Sequence, residues 1–204
     1  MAPKKVDKHA RRREILEAAA RVFATRGYRQ ATIDQIAEAA GISKGTVYLS
    51  FASKEDLFYE LFEQLTRDAM QPPTPSGDID PPTAKARIAA LFHSVMDAVD
   101  ANEGLIPLTM EFWSACGVEE TRLRFGARYA ELFGAFRTQL AGMIRDGMRA
   151  GEFRQDLPVE ATASCLMAII DGLLLQQWTD ARVRASHMLR DALPPLLGAL
   201  DAKG

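Results

Sequence analysis

ATIDQIAEAAGISKGTVYLSFASKEDLF, residues 31 to 58, reads as two short helices joined by a glycine turn and followed at once by a third, capped helix. Thr32 with Gln35 three residues on is a capping-box pair, and Ile33, Ile36, Ala37 and Ala40 then recur at helical spacing, which predicts a helix over 33 to 40. Gly41 follows the last apolar position, where a left-handed backbone is least costly for glycine, and Ser43 is placed to cap a new helix. That next helix, Lys44 to about Phe51, has only Val47 and Phe51 to bury, so Lys44, Thr46, Tyr48 and Ser50 are left for something polar. Ser53 then caps a longer helix with the stripe Leu57, Phe58, Leu61, Phe62 and Leu65. A short second helix with a free polar N-terminal end is what a helix-turn-helix needs to enter the DNA major groove.

The charge distribution points the same way. Residues 1 to 54 hold 11 Lys and Arg (Lys4, Lys5, Lys8, Arg11, Arg12, Arg13, Arg21, Arg26, Arg29, Lys44, Lys54) against 5 acids, whereas the remaining 150 residues hold 14 against 22. The net charge of −2 therefore hides a basic head and an acidic body. One part suits a phosphate backbone and the other does not.

From Ile15 to Leu65, and most closely over GISKGTVYLSFASKEDLF at 41 to 58, the chain resembles the N-terminal domain of the tetracycline-repressor (TetR) family of transcriptional regulators. The resemblance implies a three-helix DNA-binding domain followed by a larger helical domain that binds a small molecule and forms the dimer. It also implies roles at matching positions: Thr32 and Tyr48 as phosphate contacts, Ser43, Lys44, Gly45 and Thr46 as the end of the recognition helix nearest the bases, and Lys54 as a phosphate contact at the start of the longer helix that Ser53 caps. Ser50 departs from the pattern, since many members carry an aromatic residue or histidine there. Beyond residue 70 the resemblance lies only in helix lengths and apolar pattern.

The punctuation of the chain sets its organisation. The expected parts are a DNA-binding domain over 8 to 52, a connecting helix over 53 to 70, a connector over 71 to 83 and an effector-binding and dimerisation domain over 84 to 201. The first helix, 8 to 26, buries Ile15, Ala19, Val22 and Phe23 and ends at Gly27. The connector QPPTPSGDIDPPT holds five of the ten prolines and cannot be helical throughout. Further helices follow at about 83 to 101, with Ile88, Leu91, Phe92, Val95 and Val99 buried, at 106 to 116, and at 119 to 150, ending at Gly151. No period-two pattern appears, so the fold class is all-α with about nine helices.

The helix over 119 to 150 contains Gly126, Gly134, Gly142 and Gly147, each costing roughly 1 kcal/mol relative to alanine, and close packing of a neighbour or a bend should offset that. The next helix, 158 to 178, is apolar nearly all round, with only Thr162, Ser164 and Asp171 polar between Ala161 and Leu175. Such a helix needs cover on two sides. A twofold-related copy is the simplest second cover, through Leu166, Ile169, Ile170, Gly172 and Leu173, with Leu189, Leu193 and Leu196 of the last helix. Pro194 and Pro195 should kink or break that last helix.

Catalytic constellations are absent: His9, His93 and His187 are scattered, and no zinc-protease motif, nucleophile elbow or phosphate loop occurs. An enzyme is not expected, nor a cofactor or metal. Cys116 and Cys165 are too few for a disulfide or metal framework and read as buried small hydrophobes, with a thiol sensor as the alternative. No run approaches the ~18 apolar residues of a membrane span, since Asp171 interrupts the most apolar stretch, and no signal core follows the basic N-terminus, so a soluble, cytoplasmic protein is expected. Phe92, Met110, Phe112, Trp113, Phe133, Met167 and Trp178 are candidate lining for a pocket that takes a mainly apolar effector, although such a stripe serves equally as plain core. The expected function is a homodimeric repressor that binds a palindromic double-stranded operator and is released by that effector. Two alternatives stay open: a DNA-binding regulator switched by a partner or by thiol oxidation, and an all-α enzyme or carrier with a vestigial DNA-binding head.

Overall fold

The structure, a computed structural model, describes residues 8–69, 83–101, 104–116 and 119–202; most of the expected connector lies outside them. Among the described residues the chain is all-α, with nine helices and no strand. They are α1 (Lys8–Gln30), α2 (Ile33–Ala39), α3 (Lys44–Tyr48), α4 (Lys54–Ala69), α5 (Ala84–Ala101), α6 (Leu105–Cys116), α7 (Glu119–Arg149), α8 (Val159–Thr179) and α9 (Ala185–Gly198). Two compact units result: Met1–Thr66 with Gly104–Arg122, and Arg67–Glu103 with Leu123–Gly204. The sequence reading put α6 in the effector domain, yet α6 packs with the first unit.

In the first unit the core is built from the predicted apolar positions: Ile15, Ala19, Val22, Phe23, Ile33, Ile36, Val47, Phe51, Leu57, Phe58 and Phe62 are all buried. Gly27 breaks the helical path of α1, with φ 73° and ψ 159°, a conformation that excludes ordinary side chains. A Cβ at Gly27 would also meet the Glu111 carboxylate of α6 at 3.0 Å. Aromatic rings then tie α1, α4 and α6 together. Phe112 stacks on Phe62 with ring centres 4.2 Å apart and planes 4° from parallel, and Phe58 meets Phe23 edge-on at 5.2 Å. Phe112 thus belongs to this core.

In the second unit α5, α7, α8 and α9 bury Ile88, Leu91, Phe92, Val95, Phe136, Leu140, Ile144, Phe153, Leu166, Ile170, Leu189, Leu193 and Leu197. Glu152, in the turn after α7, caps the start of α5: its carboxylate accepts from the Ala84 and Lys85 amides at 3.0 and 3.2 Å. Its own carbonyl accepts from the Ala202 amide at 3.0 Å, and the Lys85 ammonium pairs with Asp201 at 2.6 Å. Close packing accounts for one glycine of α7, because the Phe153 ring comes within 2.3 Å of where a Gly147 Cβ would stand. Nothing lies within 4 Å at Gly142, and only the Arg137 guanidinium, at 4.0 Å, approaches Gly134.

Three expectations are corrected. The last helix is not broken by Pro194 and Pro195, which both lie inside α9. The carbonyls they leave without a helical donor are those of Arg190 and Asp191, residues on the exposed side where water can serve them. Cys165 is exposed rather than buried. By length and composition alone α8 is apolar enough to cross a membrane, Asp171 notwithstanding. Here it packs against α9, with Ala163, Leu166, Met167, Ile170 and Leu174 buried and its remaining sides exposed or part-exposed.

Candidate nucleic-acid interface

The expected DNA-reading segment is built as its caps dictate. The Thr32 hydroxyl accepts from the Gln35 amide at 3.3 Å while the Gln35 side chain accepts from the Thr32 amide at 3.0 Å, which fixes the start of α2. Gly41 turns the chain at φ 66°. The Ser43 hydroxyl accepts from the Thr46 amide at 3.2 Å and opens α3, and the Ser53 hydroxyl does the same for Asp56 at 3.0 Å to open α4. Because Ser53 already starts the next helix, α3 ends at Tyr48, three residues short of the expected Phe51, with Leu49 as its cap. Phe51 is nevertheless buried, at 3% exposure.

Val47 anchors α3, fully buried against α2. Ser43, Lys44, Gly45 and Tyr48 are exposed and Thr46 half-exposed, so the residues singled out along α3 are accessible, as is Thr32 at the head of α2. The Ser43 and Thr46 hydroxyls lie 2.9 Å apart. The Lys44 ammonium pairs with Asp34 of α2 at 2.9 Å, a bond that raises its pKa and keeps it cationic. Lys8, Arg13, Arg21, Arg26 and Arg29 stand exposed on the same unit.

Two of the cations counted in the sequence are occupied inside the unit instead. Lys54 donates to the carbonyls of Tyr28 and Ala31 at 2.9 and 3.0 Å and lies 4.5 Å from the centre of the Tyr28 ring. Two of its three protons are thus committed to joining α1 to α4, which revises its reading as a simple phosphate contact. Arg12 bonds the Glu60 carboxylate and the Ser50 carbonyl and sits 4.3 Å over the Phe51 ring, so one guanidinium holds α1, the end of α3 and α4. Nothing in the residue pattern separated these two from the solvent-facing cations.

Beside Lys54, the Tyr28 hydroxyl donates to Glu55 at 3.0 Å. Burial and that carboxylate push the Tyr28 pKa well above its ordinary value, so the hydroxyl stays a donor. Burial opposes the charge on Glu55, but bonds from its own backbone amide, Tyr28 and Ser53, with the Lys54 charge, outweigh it and lower its pKa.

The other sequence candidates are distributed over both units. Met110, Phe112 and Trp113 belong to the first unit and Phe92, Phe133, Met167 and Trp178 to the second. Trp178 is 52% exposed, which is unlike a pocket lining, while Phe92 and Met167 are buried. Of the residues assigned to a dimer surface, Leu166, Ile170, Leu189 and Leu193 are consumed by the unit's own core. Ile169, Gly172 and Leu173 are part-exposed and Leu196 is exposed. The missed members of that exposed face are Cys165, Ala168 and Leu175 on α8 and Met188 on α9. A finer phase of the helical wheel would have found them. Cys116 lies in α6, its side chain outside the described residues. Among the described residues no cluster of three or more His, Cys, Asp or Glu is placed to hold a metal.

Two family models match the chain. The bacterial regulatory proteins of the tetR family match residues 15–61, and the C-terminal part of BetI-type transcriptional repressors matches residues 84–198. The HTH-type transcriptional repressor KstR2 of Rhodococcus jostii (strain RHA1) is 32% identical over 159 residues, covering 75% of this chain and 72% of that protein. The regulator FadR from Bacillus subtilis, solved with stearoyl-CoA, is similar in fold at TM-score 0.73 and 23% identity, over 92% of this chain and 98% of that one. A transcriptional regulator from Saccharomonospora viridis, solved with choline, is similar at TM-score 0.76 and 25% identity, over 97% of this chain and 100% of that one.

Proposed function

The chain belongs to the tetR family of bacterial regulatory proteins, and on that premise we propose that it is a cytoplasmic, ligand-responsive transcriptional repressor that holds a palindromic operator as a homodimer. The observation that carries the reading is the capped α3, pinned by Val47 and leaving Ser43, Lys44, Gly45, Thr46 and Tyr48 accessible on a basic unit. Lys44 and Thr46 contact base edges, while Thr32 and Tyr48 contact phosphates. The test is selection of bound duplexes from a random pool. A palindrome with two fixed half-sites about one helical turn apart is expected, and recovery of no preferred sequence would overturn the reading.

Two copies associate through the exposed apolar faces of α8 and α9: Cys165, Ala168, Gly172 and Leu175 recur at helical spacing on α8, and Met188 and Leu196 are exposed on α9. Nothing stands within 4 Å of a Cβ built at Gly172. That open position lets a second helix approach closely.

The effector is a mainly apolar molecule taken by the second unit. Phe92, Phe133 and Met167 are its aromatic and thioether candidates, and no Lys or Arg is among the buried residues described in that unit, whereas a strongly anionic ligand needs such groups in its pocket. Stearoyl-CoA and choline carry opposite charges, so neither is carried over to this chain. Effector binding favours a conformation in which α4 moves the DNA-reading heads out of register with adjacent grooves, and a difference in affinity between the two states suffices. A thermal-shift screen against apolar, anionic and cationic compounds, followed by release of the selected duplex, tests this. A polyanion that both stabilises the protein and releases the DNA would overturn the proposed chemistry.

A further inference from the structure

Leu49 is the most exposed large apolar side chain described, at 89%, and it is the C-cap of α3, the helix whose N-terminal residues are read as facing DNA. Its direction follows from helix geometry. Gly45 and Leu49 each stand two positions from the buried Val47, about 200° around the axis, so both lie on the side opposite the core, with Thr46 and Tyr48 to either side. Along that outermost line Gly45 contributes no side chain, and Leu49 is the bulk that projects farthest.

Gly45 supplies an independent observation. Its φ is not in the left-handed region, and a Cβ built on it would meet only the Ser43 hydroxyl, at an ordinary 3.8 Å. The unit itself therefore has no need of glycine there, although glycine weakens a helix by roughly 1 kcal/mol relative to alanine. A bare position beside an exposed leucine suits a surface that an outside body must approach closely. The body is duplex DNA in the reading on which this inference rests.

Within a major groove the base edges offer donors, acceptors and one apolar group, the C5 methyl of thymine. A leucine can form no hydrogen bond to the others. We infer that Leu49 reads a thymine methyl in each half-site, making it a specificity-determining residue alongside the polar contacts of Lys44 and Thr46. Exclusion of water from the leucine side chain and the methyl supplies the gain. Its size is that of burying one methyl group, about fourfold in affinity.

The experiment uses the full-length protein and its selected duplex, in which each fixed thymidine is replaced in turn by deoxyuridine, a change that removes the methyl alone. At one thymine per half-site the wild-type protein loses about fourfold in affinity per methyl removed. Leu49→Ala, which lacks the contact in both half-sites of the homodimer, binds the thymidine duplex about sixteenfold more weakly and is indifferent to deoxyuridine at the same position. Its exposed site leaves folding intact, which circular dichroism verifies. Insensitivity of the wild type at every fixed thymine, a selected half-site without a fixed thymine, or a Leu49→Ala protein that keeps the full deoxyuridine effect would each overturn the inference while DNA binding stands. Failure to select any duplex would overturn the DNA-binding reading and this inference with it.

Discussion

The Lys44 ammonium lies 2.9 Å from the Asp34 carboxylate, so the cation at the tip of α3 is already paired in the free protein. Both side chains are largely exposed, so water and salt screen the pair and it contributes little to stability. DNA can therefore break it at small cost. The carboxylate also sets a negative charge near the phosphates, where it opposes binding of every sequence alike.

Asp34→Asn is accordingly expected to raise affinity for cognate and non-cognate duplexes alike, by about two- to fivefold, within the worth of one exposed ion pair, and so to leave the ratio of cognate to non-cognate binding unchanged. Titrations of both duplexes at one salt concentration measure it. Lys44→Ala or Thr46→Ala should instead change which bases are preferred, at ~1–3 kcal/mol per lost base contact. A Lys44→Ala protein with an unaltered selected sequence would remove Lys44 from the base-reading set.

Lys54→Ala should lower the thermal midpoint and cost about 1–2 kcal/mol, since the carbonyls of Tyr28 and Ala31 lose a charged donor. A full phosphate contact would reduce the slope of log affinity against log salt by about one. With two protons held internally, a smaller change is expected. A full unit of slope with unchanged stability would restore Lys54 as a plain phosphate contact.

Gly172→Glu should abolish association, because a carboxylate forced into a close helix contact without a partner costs about 3–5 kcal/mol. Sedimentation of wild type and variant at micromolar concentration reads it directly. A wild-type monomer would remove α8 and α9 as the joining surface, and a variant that still dimerises would move the contact elsewhere.

Asp171 gives a pH signature. Burial pushes its pKa up to about 6, and no hydrogen bond or ion pair to it is formed among the described residues. The folded state then holds a proton more tightly than the unfolded chain, so this group's penalty is absent below the ordinary carboxylate pKa, grows as pH rises toward 6 and is complete above it. Asp171→Asn should stabilise the protein at pH 7.5 by about 1–2 kcal/mol, after discounting for the solvent that still reaches the group, and should flatten the stability profile between pH 4 and 6. Destabilisation at pH 7.5 would mean that the carboxylate finds a counter-charge in the assembled protein.

The head was legible in the sequence because its signals are local. A capping box, a glycine at positive φ and two serine caps each act over three or four residues, and all four stand where the pattern put them. Lys54 and Arg12 were not legible in the same way, since their partners lie in sequence-distant elements and a cation bonded to a carbonyl looks the same in sequence as one facing a phosphate. The place of α6 was hidden for a related reason: the Phe112 stack on Phe62 is a tertiary choice that an apolar stripe does not encode. On α8, a helix apolar on nearly every side gives a weak phase, so Leu166 and Ile170 were assigned outward when they face in. The unbroken α9 shows propensity overridden near a helix end, where two lost donors cost little if water takes the freed carbonyls.

Glu152 joins parts of the second unit that are far apart along the chain. Its carboxylate holds the first amides of α5, 68 positions upstream, and its carbonyl holds the Ala202 amide just beyond α9. Removing the last few residues therefore strips a bond from the same turn that fastens the beginning of α5, and damage at one end is felt at the other. In hydrogen exchange the Ala84, Lys85 and Ala202 amides should open together as one cooperative group rather than as two fraying ends. A fusion partner attached directly after residue 202 would pull on that turn, whereas a flexible spacer would leave it undisturbed.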